Sequence, residues 1–165
     1  MIFMSQSGLT DPSRELQWDI WYDEHLRLMR TVPGFGSAQR FKTKSAGYSP
    51  SLAMYTLASE DVFKDPNYLS VRGMGNWAPL IDRRYYLRNL FDGLDTAPFV
   101  PADGILLVAD RSEPDVTLDG MMWLRAVAID RSTPYRGIQV VRRSDVTRWS
   151  NHERLGLYQP FSLHS

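Results

Sequence analysis

The chain is patterned twice, and that repetition constrains its fold more than any other feature. From Thr31 it reads TVPGFGSAQRFK and from Ser132 STPYRGIQVVRR, which lays Pro33 over Pro134. SLAMYTLAS from Ser51 lies over RLGLYQPFS from Arg154, so that Tyr55 meets Tyr158. Upstream, TDPSREL and SEPDVTL each follow an apolar run. Matches that recur in the same order point to a duplicated unit.

The unit itself is legible in the first half. IFMSQSG reads as a strand, and LTDPSRELQ as a helix start with Thr10 or Asp11 as cap and Pro12 in the first turn. The helix runs to about Val32, with Trp18, Trp21, His25, Leu28, Met29 and Val32 at the spacing of one inward face. PGFG stops it. GSAQRFKTK and SLAMYTLAS are strands, EDVFKDPNYLSVRG a short helical stretch broken by Pro66, and the segment carrying Tyr85 and Tyr86 is strand-like. The order is βαββαβ, that of a ferredoxin-like unit. The second half repeats it with GILLVAD as strand, LDGMMWLRAVAID as helix, and RGIQVVRR and RLGLYQPFS as strands. The expected architecture is therefore α+β: a first repeat at 1–94, a proline-rich connector at 95–103 and a shorter, degenerate second repeat at 104–165, within one domain. Two four-stranded sheets can then pack face to face, and degeneration of one repeat leaves one working site.

A chain of 165 residues suits a single core, and its formal net charge of zero leaves no footprint for nucleic acid or an anionic membrane. No cysteine is present, which removes disulfides, thiol nucleophiles and thiolate metal sites and accords with a reducing compartment. With no apolar run of about 20 residues and no signal-like start, the sequence predicts a soluble, cytoplasmic protein. The histidines, His25, His152 and His164, fall in no metal-ligand spacing, so no metal is expected.

The stretch WYDEHLRLMRTVPGFGSAQRF at 21–41, followed by LAMYTLAS, resembles the dimeric α/β-barrel superfamily and within it the EthD-like (ethyl tert-butyl ether degradation) group. The resemblance is close over residues 14–58 and weaker beyond. It implies a cavity between helix and sheet that holds a small, often aromatic, substrate, and a helix histidine used for proton transfer. The superfamily also includes haem-dependent relatives.

His25 is accordingly the leading candidate. An imidazole titrating near neutrality suits a general acid or base; the alternative is a core histidine bonded to a backbone carbonyl. Counting back from Pro134 as His25 counts back from Pro33 reaches Ala126, which suggests that the repeat does not need a histidine there. Tyr22 can reach the same cavity, and strand alternation sends Tyr85 and Tyr86 to opposite faces, so one of them can stabilise an oxyanion. Trp18, Trp21, Met29, Tyr55 and Trp77 are expected to line an apolar pocket, Trp77 from the Gly-rich stretch RGMGNWAPL, with Arg83 free to bind a carboxylate. Asp23 and Glu24 are expected to pair along the helix with Arg27, and His152 to be exposed in a polar loop. The expected activity is that of a cofactor-independent lyase, isomerase or cyclase moving a proton on a small aromatic or unsaturated carbonyl compound. The partner is a small hydrophobic substrate, and a homodimer is possible. The alternative is a non-catalytic protein that binds a small molecule or haem.

Overall fold

The computed structural model describes residues 1–163. Eight strands close into one antiparallel barrel: β1 (Ile2–Ser7), β2 (Phe35–Lys42), β3 (Ser51–Leu57), β4 (Leu87–Asp92), β5 (Gly104–Arg111), β6 (Met122–Ile129), β7 (Tyr135–Arg142) and β8 (Gly156–Pro160). Around the barrel they run β1-β3-β2-β8-β5-β7-β6-β4. Each half thus lays its four strands in the spatial order fourth, first, third, second, and the halves join where β2 meets β8 and β4 meets β6. Closure is thinnest at the β2–β8 seam, where, among the described residues, only Phe41 and Lys42 pair, with Pro160 and Gln159.

Strand alternation sorts side chains between two environments. Ile2 and Met4 of β1, Leu52 and Met54 of β3, and Phe91 of β4 point into the barrel with Leu106, Val108, Leu124, Ile138 and Tyr158. Phe3, Ala53, Tyr55, Leu57 and Leu90, from the same strands, point outward under helix α1 (Glu15–Met29). The barrel interior also encloses Arg136, fully buried, whose guanidinium makes two bonds to Asp110 at 2.7 and 3.0 Å and one to Gln6 at 2.8 Å. The connector is pinned rather than loose. Gln39 bonds both the carbonyl (2.6 Å) and the amide (3.0 Å) of Val100, and Ala97 donates to the Thr56 hydroxyl.

Helix α1 follows a 3-10 turn at Pro12–Arg14, capped by the Asp11 carboxylate accepting from the Ser13 amide at 3.0 Å. Trp18, Tyr22 and Met29 are buried, whereas Leu28, expected to face inward, is 43% exposed. The helix is locked to β2 by Arg40, which is buried, donates to Asp19 at 2.7 Å and stacks its guanidinium over Trp18 (4.8 Å) and Tyr22 (4.2 Å). Asp23 and Glu24 pair with Arg27 at 2.6 and 3.1 Å, as helix spacing requires.

The helical stretch is interrupted at Pro66 as expected: a 3-10 turn at Glu60–Lys64 ends, Asp65 is extended and caps the Asn67 amide at 2.7 Å, and α2 (Pro66–Val71) opens on the proline. Other sequence readings are corrected. The expected helix in MMWLRAVAID is strand β6, held between β4 and β7, because closing the barrel outweighs the helix preference of Met, Leu, Arg and Ala. In spatial order β6 therefore corresponds to β2 and β7 to β3, so the internal alignment of β2 with β7 is one strand out of step. Ala126 lies on a strand and says nothing about His25. No described helix is long and apolar enough to cross a membrane.

The two halves differ in what covers their outer faces. In the first, α1 and α2 do so; in the second, Ile105, Leu107 and Ala109 are covered by Leu118, Met121, Val146 and Trp149 from a loop and from a 3-10 stretch at Arg143–Trp149.

Candidate functional site

A cleft opens where α1, α2 and the outer faces of β1, β3 and β4 converge. Phe3, Ser5, Tyr22, His25, Met29, Tyr55, Tyr68, Gly73, Met74, Tyr86 and Arg88 line it. Its volume is about 20 Å3, room for a single water molecule. Beyond it lies an open pocket of about 480 Å3 lined by Gly73, Met74, Ala78, Ile81, Arg83 and Tyr86. Gly73, Met74 and Tyr86 belong to both, so these residues form the partition between cleft and pocket. Met74, an unbranched and flexible side chain, sits between Gly73 (φ +87°) and Gly75 (φ +51°), where the left-handed backbone suits glycine.

His25 reaches the cleft from the third turn of α1. Its ring stacks on Trp21, with centroids 4.7 Å apart and planes 12° from parallel, and meets the Tyr22 ring edge-on at 6.0 Å. Among the described residues neither ring nitrogen has a hydrogen-bond partner. Burial among these apolar walls pushes its pKa down from 6.5 to about 4. The imidazole is neutral at pH 7, with one nitrogen free to accept.

The phenols come from different elements. Tyr22 is buried on α1 with Ser5 and Ser7 of β1 beside its hydroxyl; burial raises its pKa, opposed by Arg40 and by those serines. Burial likewise holds Tyr55 of β3 well above the ordinary phenol range, with Tyr22 adding to the effect and Arg40 opposing it. Tyr68 of α2 is raised by burial and partly offset by Arg88, whose Nη2 donates to the Tyr68 hydroxyl at 2.5 Å. All are protonated donors at neutral pH.

Neither adjacent tyrosine lies on the strand expected from the sequence: Tyr85 is in a turn and Tyr86 precedes β4. Tyr86, Arg88 and Leu90 follow one another at intervals of two on the cleft side. Tyr85 faces away, its ring against Gly8 and under the Arg84 guanidinium at 5.3 Å, and so is not a site residue. Other expected residues also move. Trp18 is core, packed on Tyr22 and Arg40 rather than lining the cleft. Trp21 backs His25 without lining the cleft. Trp77 lines neither cavity and lies beneath Arg14 at 5.1 Å. Met29 and Tyr55 do line the cleft, and Arg83 lies at the outer pocket. Ser5, Tyr68, Met74 and Arg88 were not singled out from the sequence, although Arg88 and Ser5 follow from period-two spacing after Tyr86 and Phe3.

No described cluster of acids and histidines suits a metal ion. Haem fits no better: the cleft beside His25 is far too small for a porphyrin, His152 is exposed with its ring tilted 40° to that of Trp149 at 5.4 Å, and His164 lies outside the described residues.

No family model matches the chain, and no characterised protein matches it in sequence. Among solved structures, the crystal structure of a "Putative Chlorite dismutase" superposes with a TM-score of 0.51 at 10% sequence identity, covering 98% of this chain and 95% of the other. At that identity the likeness is one of fold, an α+β barrel kept over nearly the whole chain.

Proposed function

We propose that the protein is a cofactor-independent enzyme of lyase, isomerase or cyclase type that moves a proton on a small aromatic or unsaturated carbonyl compound. The observation that carries this reading is the His25 imidazole: half-buried, facing a cleft, and without a hydrogen-bond partner among the described residues. Its ring nitrogens are not among the buried polar atoms that lack a partner, so they are open to water or to a ligand entering the cleft. The substrate's ring occupies the outer pocket and its reacting end displaces Met74 to enter the cleft. His25 takes or returns the proton, while the hydroxyls of Tyr22, Tyr68 and Tyr86 donate to the oxygen on which charge develops. The identical strand order of the two halves supports describing the fold as two ferredoxin-like units fused in one chain, of the dimeric α/β-barrel type and near the EthD-like group.

Hydrogen exchange tests the chemistry without knowledge of the product. The protein is incubated in deuterium oxide with a panel of enolisable aryl ketones and aryl acetic acids, and deuterium uptake is followed by mass spectrometry. At least one compound should exchange about a hundredfold faster than in buffer, and His25→Ala should abolish most of that gain. Exchange that survives in His25→Ala, or is absent across the panel, would remove proton transfer from the account.

A further inference from the structure

Five lysine or arginine side chains among the described residues are withdrawn from solvent: Arg40, Lys42, Arg88, Arg111 and Arg136. Four of them have a carboxylate. Arg40 and Lys42 share Asp19, Arg111 faces Asp115 and Arg136 faces Asp110. Arg88 has none; its hydrogen-bond partner is the Tyr68 hydroxyl, and its guanidinium carbon lies 5.8 Å from the centre of the Phe3 ring. Taking a guanidinium away from water without a counter-charge is costly, and folded chains ordinarily supply one.

Among the described residues no aspartate or glutamate lines the cleft, and none lines the outer pocket, whose lining includes a second arginine, Arg83. The route from solvent to His25 thus passes one positive charge at its entrance and reaches another inside.

We propose that the missing counter-charge is the substrate's own: the cleft takes an aromatic carboxylate, its anionic end bound between Arg88 and Tyr68 and its ring in the outer pocket. This rests on, and narrows, the reading of the site as a small-molecule pocket. Because Arg88 donates to the Tyr68 oxygen, the Tyr68 proton is directed elsewhere and is available to the same anion. Planar guanidinium and carboxylate match in a paired, charge-assisted contact, strongest where water is excluded. The bound anion also has an effect on His25. The titratable and charged groups around the cleft are Tyr22 of α1, Tyr55 of β3, Tyr68 of α2, and Tyr86 and Arg88 beside and on β4, none of them negative at pH 7. A carboxylate entering there favours the imidazolium and raises the histidine toward neutrality, where it serves better as a base.

Calorimetric titration of the full chain with benzoate, phenylacetate and cinnamate, each against its neutral amide, tests the assignment. The acids should bind about tenfold or more tightly than the amides. Arg88→Met should erase the difference and Arg88→Lys keep part of it. With a saturating acid, the His25 ring should titrate about one pH unit or more higher than in the free protein. Acids and amides binding alike, no acid binding, or an Arg88→Met protein that still prefers acids would overturn the proposal. If Arg88→Met does not fold, the wild-type acid-against-amide comparison and Arg88→Lys decide. Binding and exchange separate the two readings: a wild type that binds acids but catalyses no proton exchange would leave the anion site standing and remove the chemistry.

Discussion

The inside of the barrel and the cleft on its outer wall are built from alternate residues of the same strands, yet their arginines are held in different ways. Inside, Arg136 is held by Asp110 and Gln6, and Gln6 in turn donates to the Tyr158 hydroxyl, which donates to the Ser49 carbonyl at 2.8 Å. Outside, Arg88 has a phenol but no carboxylate, and His25 has no hydrogen-bond partner among the described residues. A polar group satisfied by its neighbours specifies a structure; one left unsatisfied beside a cavity is available to something else. The difference separates architecture from function in a chain where both use the same residue types.

The largest expected effect breaks the architectural side. Asp110→Ala strands a fully buried guanidinium and should cost about 3 kcal/mol, the low end for a broken buried pair because the Asp110 side chain is itself 30% exposed. Urea unfolding measures it, and a loss below about 1 kcal/mol would mean that the barrel interior admits water to Arg136.

The next effect is one of pH. His25 titrates at about 4 when folded, against 6.5 when free. Between those values the unfolded chain binds the extra proton, so the contribution of the neutral ring is complete above about pH 6.5 and is lost as pH falls toward 4. Unfolding curves across that window should steepen in their pH dependence for the wild type and flatten for His25→Gln. Equal slopes would show that the ring is hydrated in the folded protein.

At constant neutral pH, His25→Ala should cost only about 1 kcal/mol, the worth of its stack on Trp21, since no hydrogen bond to the ring is lost. Collapse of the fold would return the residue to packing. The smallest contrast is between neighbours: Tyr86→Phe should weaken ligand binding and Tyr85→Phe should leave binding unchanged, with both melting within about 0.5 kcal/mol of wild type. Equal binding effects from the two would contradict the register of the segment leading into β4.

The first half was legible because its local signals agree with its tertiary context. The Asp11 cap, the buried Trp18 and Met29 of α1, and the strand pair around the turn at 47–51 are all where periodicity and turn chemistry put them. In the second half the signals conflict. Residues 122–129 are made of good helix formers, and only the need to join β4 to β7 makes them a strand, a demand arising from residues far away in the chain. Reading that strand as a helix also displaced the internal alignment and produced a false counterpart for His25. At the site, the helix periodicity points to His25, while the turn that ends between Tyr85 and Tyr86 has no strand signature. Alternation within β4 reaches Arg88, but an arginine in a strand gives no local sign that it lacks a carboxylate. That absence exists only once the eight strands have closed and the partners of every other withdrawn cation are known.

The most direct measurement is amide chemical-shift mapping of the isotopically labelled protein with the tightest-binding acid of the series. Perturbations should cluster at 22–29, 68–74 and 86–88, around the cleft. A second basic surface provides the internal control: Arg30 and Arg143 border another open pocket, with Phe99 and Phe161. Shifts confined to that surface, with His25, Tyr68 and Arg88 silent, would contradict the placement of the site.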